Sequence, residues 1–270
     1  MSEIMSDYKK LIISIDTNGV NRITLNDIPR RNALSESMII QLISSLEQAA
    51  LNPSVKVIII SSKGSVFCSG HDLKEITNAR AEADHGKAFF IKLMALCSKL
   101  MQTIVTCPKP VIAEVSGVAT AAGCQLVASC DLAYSSKDAM FATPGVNIGL
   151  FCSTPMVAVS RKVNRKRMMK MLLTGEPIKA KVAKEIGLIN DFYPKKILEK
   201  EVTKLAKNIA SKSNLTIKIG KQAFYKQLEM PLKKAYSYTS RMMTLNMMAK
   251  DAHEGISAFI EKRKPKWKNK

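Results

Sequence analysis

The sequence predicts an α/β fold, and three observations carry that expectation. Residues 110–150, PVIAEVSGVATAAGCQLVASCDLAYSSKDAMFATPGVNIGL, read as strand, glycine turn, helix, strand. Val111–Val115 is a short β-branched run, Ser116-Gly117 breaks it, and Cys124–Ser129 continues as an apolar helix. A second unit of the same kind runs from the apolar strand Val57–Ser62 through Lys63-Gly64 into a helix around Asp72-Leu73-Lys74-Glu75. From Glu199 onward the pattern is helical throughout, so a helix-only module follows an α/β body.

Taken in order, Leu11–Ile15 and Val20–Leu25 alternate as two strands joined through Asn18-Gly19, a strong hairpin signal. Leu34-Ser35 opens an amphipathic helix in which Ile39, Ile40, Leu42, Ile43 and Leu46 recur at helical spacing until Asn52-Pro53 stops it. Val55–Ser62 is the next strand. Lys87–Val105 carries another apolar helical stripe, and Pro108-Lys109-Pro110 ends it while pre-setting the extended strand that follows. Thr154–Val163 and Arg165–Leu173 read as two short helices, the second stopped by Thr174-Gly175. Lys179–Gly187 is a third, feeding a strand at Gly187–Asn190. Glu199–Ala210, Thr216–Leu228 and Leu232–Lys250 are the closing helices.

Thr120-Ala121-Ala122-Gly123 exposes main chain where a helix begins. The first N–H groups of a helix lack internal partners and carry the positive end of its dipole, so an oxyanion could be held there. Equally, side chains this small let a helix pack closely on a sheet. Composition leaves both readings open.

Together, Phe67-Cys68-Ser69-Gly70-His71-Asp72-Leu73-Lys74-Glu75 and Ala119-Thr120-Ala121-Ala122-Gly123-Cys124-Gln125-Leu126 closely resemble the two signatures of the crotonase (enoyl-CoA hydratase/isomerase) superfamily. The resemblance continues through FATPGV, GLFCSTP, TGEPI, FYKQL and KRKPKW, in order, and covers nearly the whole chain. It implies a spiral of ββα units for residues 1–198. For residues 199–270 it implies a helical trimerisation region with a basic tail, making a homotrimer or a dimer of trimers.

The chemistry implied is the binding of an acyl-CoA thioester whose carbonyl oxygen is held by two backbone N–H groups as enolate charge develops. By motif match those donors fall at His71 and Ala122, with Gly70 and Gly123 keeping the main chain accessible. Hydratases of the superfamily also carry two glutamates, and the matching positions here hold Gln125 and Gly145. An amide orients water but does not titrate near neutral pH, and glycine has no side chain, so ordinary two-glutamate hydration is not expected. The catalytic set implied is His71, Ala122 and Gln125. The substrate- and CoA-binding set is Arg31, Ala33, Ser69, Gly70, Asp72, Leu73, Lys74, Gly123, Gly145 and Lys264.

Asp72, Glu75 and Glu114 lie near the motifs, with Asp72 expected to cap a helix and Glu75 to face solvent in its first turn. The His71 ring titrates in a useful range. Decarboxylation of a malonyl-type thioester is the chemical alternative, because loss of carbon dioxide forms the enolate without a base. A non-catalytic acyl-CoA binder is the second class of function. Arg30, Arg31 and Asn32-Ala33-Leu34 resemble the loop that meets the nucleotide, while Phe259, Lys262 and Lys264 resemble the C-terminal helix and tail that reach a neighbour's CoA. Met242, Met243, Met247 and Met248 suit an acyl pocket, an oligomer interface or, most commonly, core gaps.

At 270 residues the chain is long enough to bury a substantial core. Its net charge of +20 fits an anionic partner, coenzyme A or nucleic acid, and equally fits solvated lysine-rich faces. RNA binding ranks third. The early helix, Glu36 to Ala50, has no lysine or arginine, and Arg161-Lys162, Arg165-Lys166-Arg167 and Lys170 lack interleaved aromatics. Six cysteines without CxxC spacing read as reduced and mostly buried, and three scattered histidines argue against zinc. No metal is expected, and no cofactor beyond coenzyme A as part of the substrate. No unbroken apolar run reaches membrane-spanning length. Residues 1–10 contain acidic residues, no arginine and no apolar core, which points to the cytoplasm. A matrix protein after removal of its targeting segment is the alternative.

Overall fold

A computed structural model describes residues 10–270. The reading of the N-terminal stretch therefore lies, but for Lys10, outside the described residues. The described residues open with β1 (Leu11–Ile15) and β2 (Val20–Leu25), antiparallel with Leu11 opposite Leu25. The turn between them closes on Asp16, whose Oδ1 accepts from the N–H groups of Asn18 and Val20. There follow α1 (Glu36–Leu51), β3 (Val57–Ser62), β4 (Val66–Cys68), α2 (Leu73–Ala79) and α3 (Lys87–Thr106). Next come β5 (Val111–Val115), β6 (Val118–Thr120), α4 (Ala122–Ser129), β7 (Leu132–Ser136) and β8 (Met140–Ala142). After a 3-10 turn at Pro144–Ile148 stand α5 (Ser153–Val159), α6 (Arg165–Thr174), β9 (Ile178–Lys179), α7 (Ala180–Glu185) and β10 (Asp191–Tyr193). The closing helices are α8 (Lys195–Ala210), α9 (Asn214–Leu228), α10 (Leu232–Met247) and α11 (Lys250–Ile260).

Two sheets result, one of six strands in the order β1-β2-β3-β5-β7-β10 and one of four in the order β4-β6-β8-β9. At β3 to β4, β5 to β6 and β7 to β8 the chain steps from the large sheet to the small one. Each step stacks in parallel on the last, with Ile58 beside Val111 and Val118 beside Met140. Repetition of that step is the expected ββα spiral. The main core lies inside it, where Ile58, Ile60, Val111, Ala113, Phe67 and Phe141 meet the buried stripe Met38, Ile39, Leu42 and Leu46 of α1.

β4, β6 and β8 have three residues each, too short to show an alternating pattern. The strand expected at Gly187–Asn190 lies instead at β10, parallel to β7. Asn190 brackets the Ala133 main chain, donating its N–H to the Ala133 carbonyl and accepting the Ala133 N–H on Oδ1. The helix expected over Leu232–Lys250 is two helices, because Met248 and Ala249 separate α10 from α11.

Among the described residues α3 alone is long and apolar enough to cross a membrane by length and composition. Its buried stripe Leu93, Cys97, Leu100, Met101 and Ile104 packs in the core beside α1 and α4.

A division at residue 198/199 falls inside α8. That helix lays Leu198, Val202, Ala206 and Ala210 on the outer face of the large sheet, against Val57, Ile59 and Ile112. The segment of α9 to α11 follows Ala210. It is riveted to the body by Lys221 of α9, which donates to the carbonyls of Ile104 and Lys109 and pairs with Asp131 at 2.7 Å. Tyr225 donates to the other Asp131 oxygen at 2.9 Å. Beyond this rivet Met243, Met247 and Met248 are exposed, which corrects the core-filling expectation for them. They share the surface with Phe224, Leu232, Tyr236, Phe259 and Ile260.

Candidate active site

The two signature segments meet at Gly70 and Ala121–Ala122. Gly70 has φ +90, and a β-carbon placed on it would stand 2.9 Å from the Ala121 Cβ and 3.4 Å from the Ala122 nitrogen. The residue must therefore be glycine for both conformation and clearance. A β-carbon on Gly123 would collide with the Cys68 carbonyl, so the first turn of α4 rests directly on the end of β4. The small residues pack closely, and that packing is what brings the two main-chain segments together.

Ala121 caps α4 at φ 52 and ψ −119, backbone that an alanine rarely adopts. Its N–H donates to the Ala142 carbonyl and its own carbonyl accepts from Gln125, which fixes the strained turn at both ends. Ala122 is the first residue of α4, and its N–H has no partner within the helix.

On the other side, Ser69 N–H donates to the Arg31 carbonyl at 3.2 Å and Leu34 N–H to the Gly70 carbonyl at 2.7 Å. These bonds lay Arg31, Ala33 and Leu34 along Ser69, Gly70 and His71. Main-chain alternation turns the His71 N–H away from that pairing. Arg31 and Asn32 both have positive φ. The loop is held by the buried Asn32 side chain, which accepts from Asp27 N–H and donates to the carbonyls of Lys63 and Val66.

The His71 ring is partly buried with Nδ1 3.3 Å from the Leu34 carbonyl oxygen, and Nε2 is shut off from solvent without a partner. Burial pushes the ring's pKa below its usual 6.5, against a smaller opposing effect of the Leu34 carbonyl. Gln125 is buried on α4, where its Oε1 accepts from the Cys97 thiol at 3.7 Å. Gly145 is buried too, and donates its N–H to Cys152 Sγ at 3.3 Å. The Thr143 hydroxyl, two residues earlier, is buried without a partner.

The three carboxylates near the motifs are all engaged. Asp72 caps α2 as expected, with Oδ1 accepting from Lys74 N–H and Oδ2 pairing with Arg30 at 2.9 Å. Glu75 does not face solvent freely. Its Oε2 accepts from Glu36 N–H at 2.9 Å and so caps α1, a role that no local pattern in α2 could announce. Glu114 pairs with Arg22 at 2.8 Å, and Arg22 in turn reaches Thr203 of α8, which places Glu114 on the outer face of the sheet. Burial raises its pKa, opposed by Arg22.

Leu73 and Lys74 are exposed beside the site. Lys264 lies apart from them in a tail fastened back on its own chain. There Trp267 Nε1 donates to the Ser211 carbonyl, and Lys268 and Asn269 donate to Asp251. Among the described residues no three His, Cys, Asp or Glu side chains are grouped to hold a metal ion. In the basic stretch, Arg161 pairs with Glu229, Lys170 with Glu176, and Lys162 lies over the Tyr225 ring.

Residues 16–270 match the family model for enoyl-CoA hydratase/isomerase. The rat protein named enoyl-CoA hydratase domain-containing protein 3, mitochondrial, is 50% identical over 250 residues, 93% of this chain and 82% of its own. The crystal structure of human enoyl Coenzyme A hydratase domain-containing protein 3 superposes with a TM-score of 0.91 at 46% identity, covering 96% of this chain and 100% of that one. An enoyl-CoA hydratase from Mycobacterium smegmatis superposes with a TM-score of 0.92 at 44% identity, covering 96% and 99%.

Proposed function

The chain belongs to the enoyl-CoA hydratase/isomerase family and has the crotonase fold, and from that premise we propose that it binds an acyl-CoA thioester and stabilises its enolate with the main-chain N–H groups of His71 and Ala122. The observation that carries this reading is the approach of Gly70 to Ala121–Ala122, which leaves no room for a β-carbon between the two donor segments. Two preorganised donors act on charge as it develops on the thioester oxygen, where one such donor is worth roughly 3 kcal/mol. The dipole of α4 adds to the Ala122 donor.

Coenzyme A would lie along the Arg31–Ala33 loop and Ser69–Lys74, with Lys74 and Arg31 supplying positive charge to its phosphates. Gln125, held by Cys97, orients but does not ionise. Lys264 belongs, in this reading, to a neighbouring subunit's site in a homotrimer or dimer of trimers, assembled through the exposed apolar surface of the last helices. The relative's name places that protein in mitochondria, and we infer the same compartment here in place of the cytoplasm, with fatty-acid metabolism as the setting.

The enclosed Gly145 favours a second reading of the reaction. With the second carboxylate position closed, decarboxylation of a malonyl-type thioester needs only the oxyanion site. Purified protein offered 2-enoyl, 3-enoyl and malonyl-type CoA thioesters, with Ala122→Trp as control, tests both. Hydration or isomerisation lost in the control supports an acid/base enzyme, and carbon dioxide release alone supports the decarboxylase. Binding without turnover makes the protein an acyl-CoA binder, and failure to bind any thioester at millimolar concentration sinks the proposal.

A further inference from the structure

We propose that the cavity between the end of α1, the Pro108–Pro110 segment and the start of α9 binds a small organic anion, a carboxylate or phosphate group on a compact apolar body, and that its occupant fastens the closing helices to the body. The inference does not depend on the acyl-CoA reading. The cavity encloses about 280 Å3 and opens to solvent. Its walls come from stretches far apart in sequence, with Leu51 and Val55 at the end of α1, Pro108 and Pro110 before β5, Ile217 on α9 and Asn269 in the tail. Leu34, which pairs with His71, stands just before the other end of α1, and sixteen residues of helix separate the two ends by about 24 Å. The cavity is therefore a different place from the candidate active site.

Three lysines line this cavity, Lys56, Lys109 and Lys218, and among the described residues none of them pairs with a carboxylate. Lys109 is half-buried. Its Nζ donates to the Ala49 carbonyl at 2.6 Å and to the Asn52 carbonyl, which covers the negative end of α1 and leaves a third ammonium proton. Burial opposes the charge of this ammonium, and no neighbouring carboxylate sustains it. Asp131, tied to the same joint through Lys221, is already held by Lys221, Tyr225 and the Val111 N–H. Asn269 accepts the Asn214 N–H on Oδ1 at 2.9 Å, so its amide NH2 remains a donor at the rim. A half-buried cation without a counter-ion, two further lysines, a spare amide donor and walls of proline, leucine and isoleucine fit one chemistry. The acid group of the ligand meets the lysines, and a body the size of a single ring lies against the walls. Such an occupant touches α1, α9 and the tail at once, across the joint that Lys221 holds.

The full chain is titrated with benzoate and with phenyl phosphate by calorimetry at constant ionic strength, with and without butyryl-CoA. Saturable binding of at least one probe at millimolar concentration is expected, undisturbed by butyryl-CoA, and binding of only one of them names the acid group. Lys56→Gln with Lys218→Gln should weaken that binding about tenfold. Ile217→Trp, which fills the cavity, should abolish it. Lys196→Gln with Lys200→Gln on α8, the same change of charge elsewhere, should leave it at the wild-type level. The bound probe should also slow proteolysis between α8 and α9. No saturable binding of either probe, displacement by butyryl-CoA, or equal weakening by the two lysine pairs overturns the site. Proteolysis unchanged at saturating probe overturns the fastening role.

Discussion

Gly145 donates its N–H to the Sγ of Cys152 and accepts the Leu150 N–H on its carbonyl, and the two contacts fold residues 150–152 against it. A β-carbon at residue 145 would lie 2.8 Å from the Leu150 carbonyl oxygen and 3.0 Å from the thiol. Any side chain at residue 145 therefore meets filled space.

Gly145→Glu together with Gln125→Glu is expected not to raise hydration of a 2-enoyl-CoA. The double variant should instead lose about 1–3 kcal/mol of stability from overpacking and from a buried carboxyl, seen as a lower thermal midpoint. Hydration rising tenfold or more would show that the loop gives way.

Gly123→Ala places a methyl into the Cys68 carbonyl, and main chain cannot step aside as a flexible side chain can. The expected result is a stability loss of about 1–3 kcal/mol with acyl-CoA binding weakened well beyond that of Gly220→Ala, a position with open space around it. Equal effects of the two substitutions would contradict the close approach.

The pH dependence follows from burial of His71. Its folded pKa lies below 6.5, so the unfolded chain binds more protons in the window just under 6.5. The ring's contribution to stability is thus complete above that window and falls as pH drops through it toward the folded value. Neighbouring charges on both sides, Arg30 with Asp72 and Glu75, are paired with one another, so the downward direction is that of burial. Thermal midpoints of wild type and His71→Gln measured from pH 4 to 8 should differ more above 6.5 than below it, and a difference that grows as pH falls would contradict this environment.

Asp131 receives Lys221, Tyr225 and the Val111 N–H together. Asp131→Ala leaves a nearly buried ammonium without its counter-ion, for which about 3–5 kcal/mol is expected in denaturant unfolding. Limited proteolysis should then cut first between α8 and α9. A loss below about 1 kcal/mol would mean that apolar packing alone holds α9 to the body.

Met247, Met248, Phe259 and Ile260, at the end of α10 and on α11, are exposed apolar side chains and belong to the interface of the proposed trimer. On that proposal wild type sediments as a trimer or larger species, and Met248→Lys with Phe259→Asp shifts it to a monomer. Unchanged sedimentation would place the interface elsewhere.

The sequence by itself determined the long elements. The stripe of α1, the strands β3 and β5 and the hairpin at Asn18-Gly19 announce themselves because each has enough residues to show a period or a turn signal. The family motifs in the sequence pointed to Gly70 and Gly123 as places where main chain stays accessible, while the contacts that a β-carbon there would meet were decided by the tertiary structure. The three-residue strands of the small sheet were decided by the tertiary structure, for they exist only through pairing with one another. So were the capping of α1 by Glu75, the closure of Gly145 by Cys152 and the unpartnered His71 Nε2. Each of these depends on atoms from distant elements arriving within a few ångströms, and no local pattern encodes which atoms those will be.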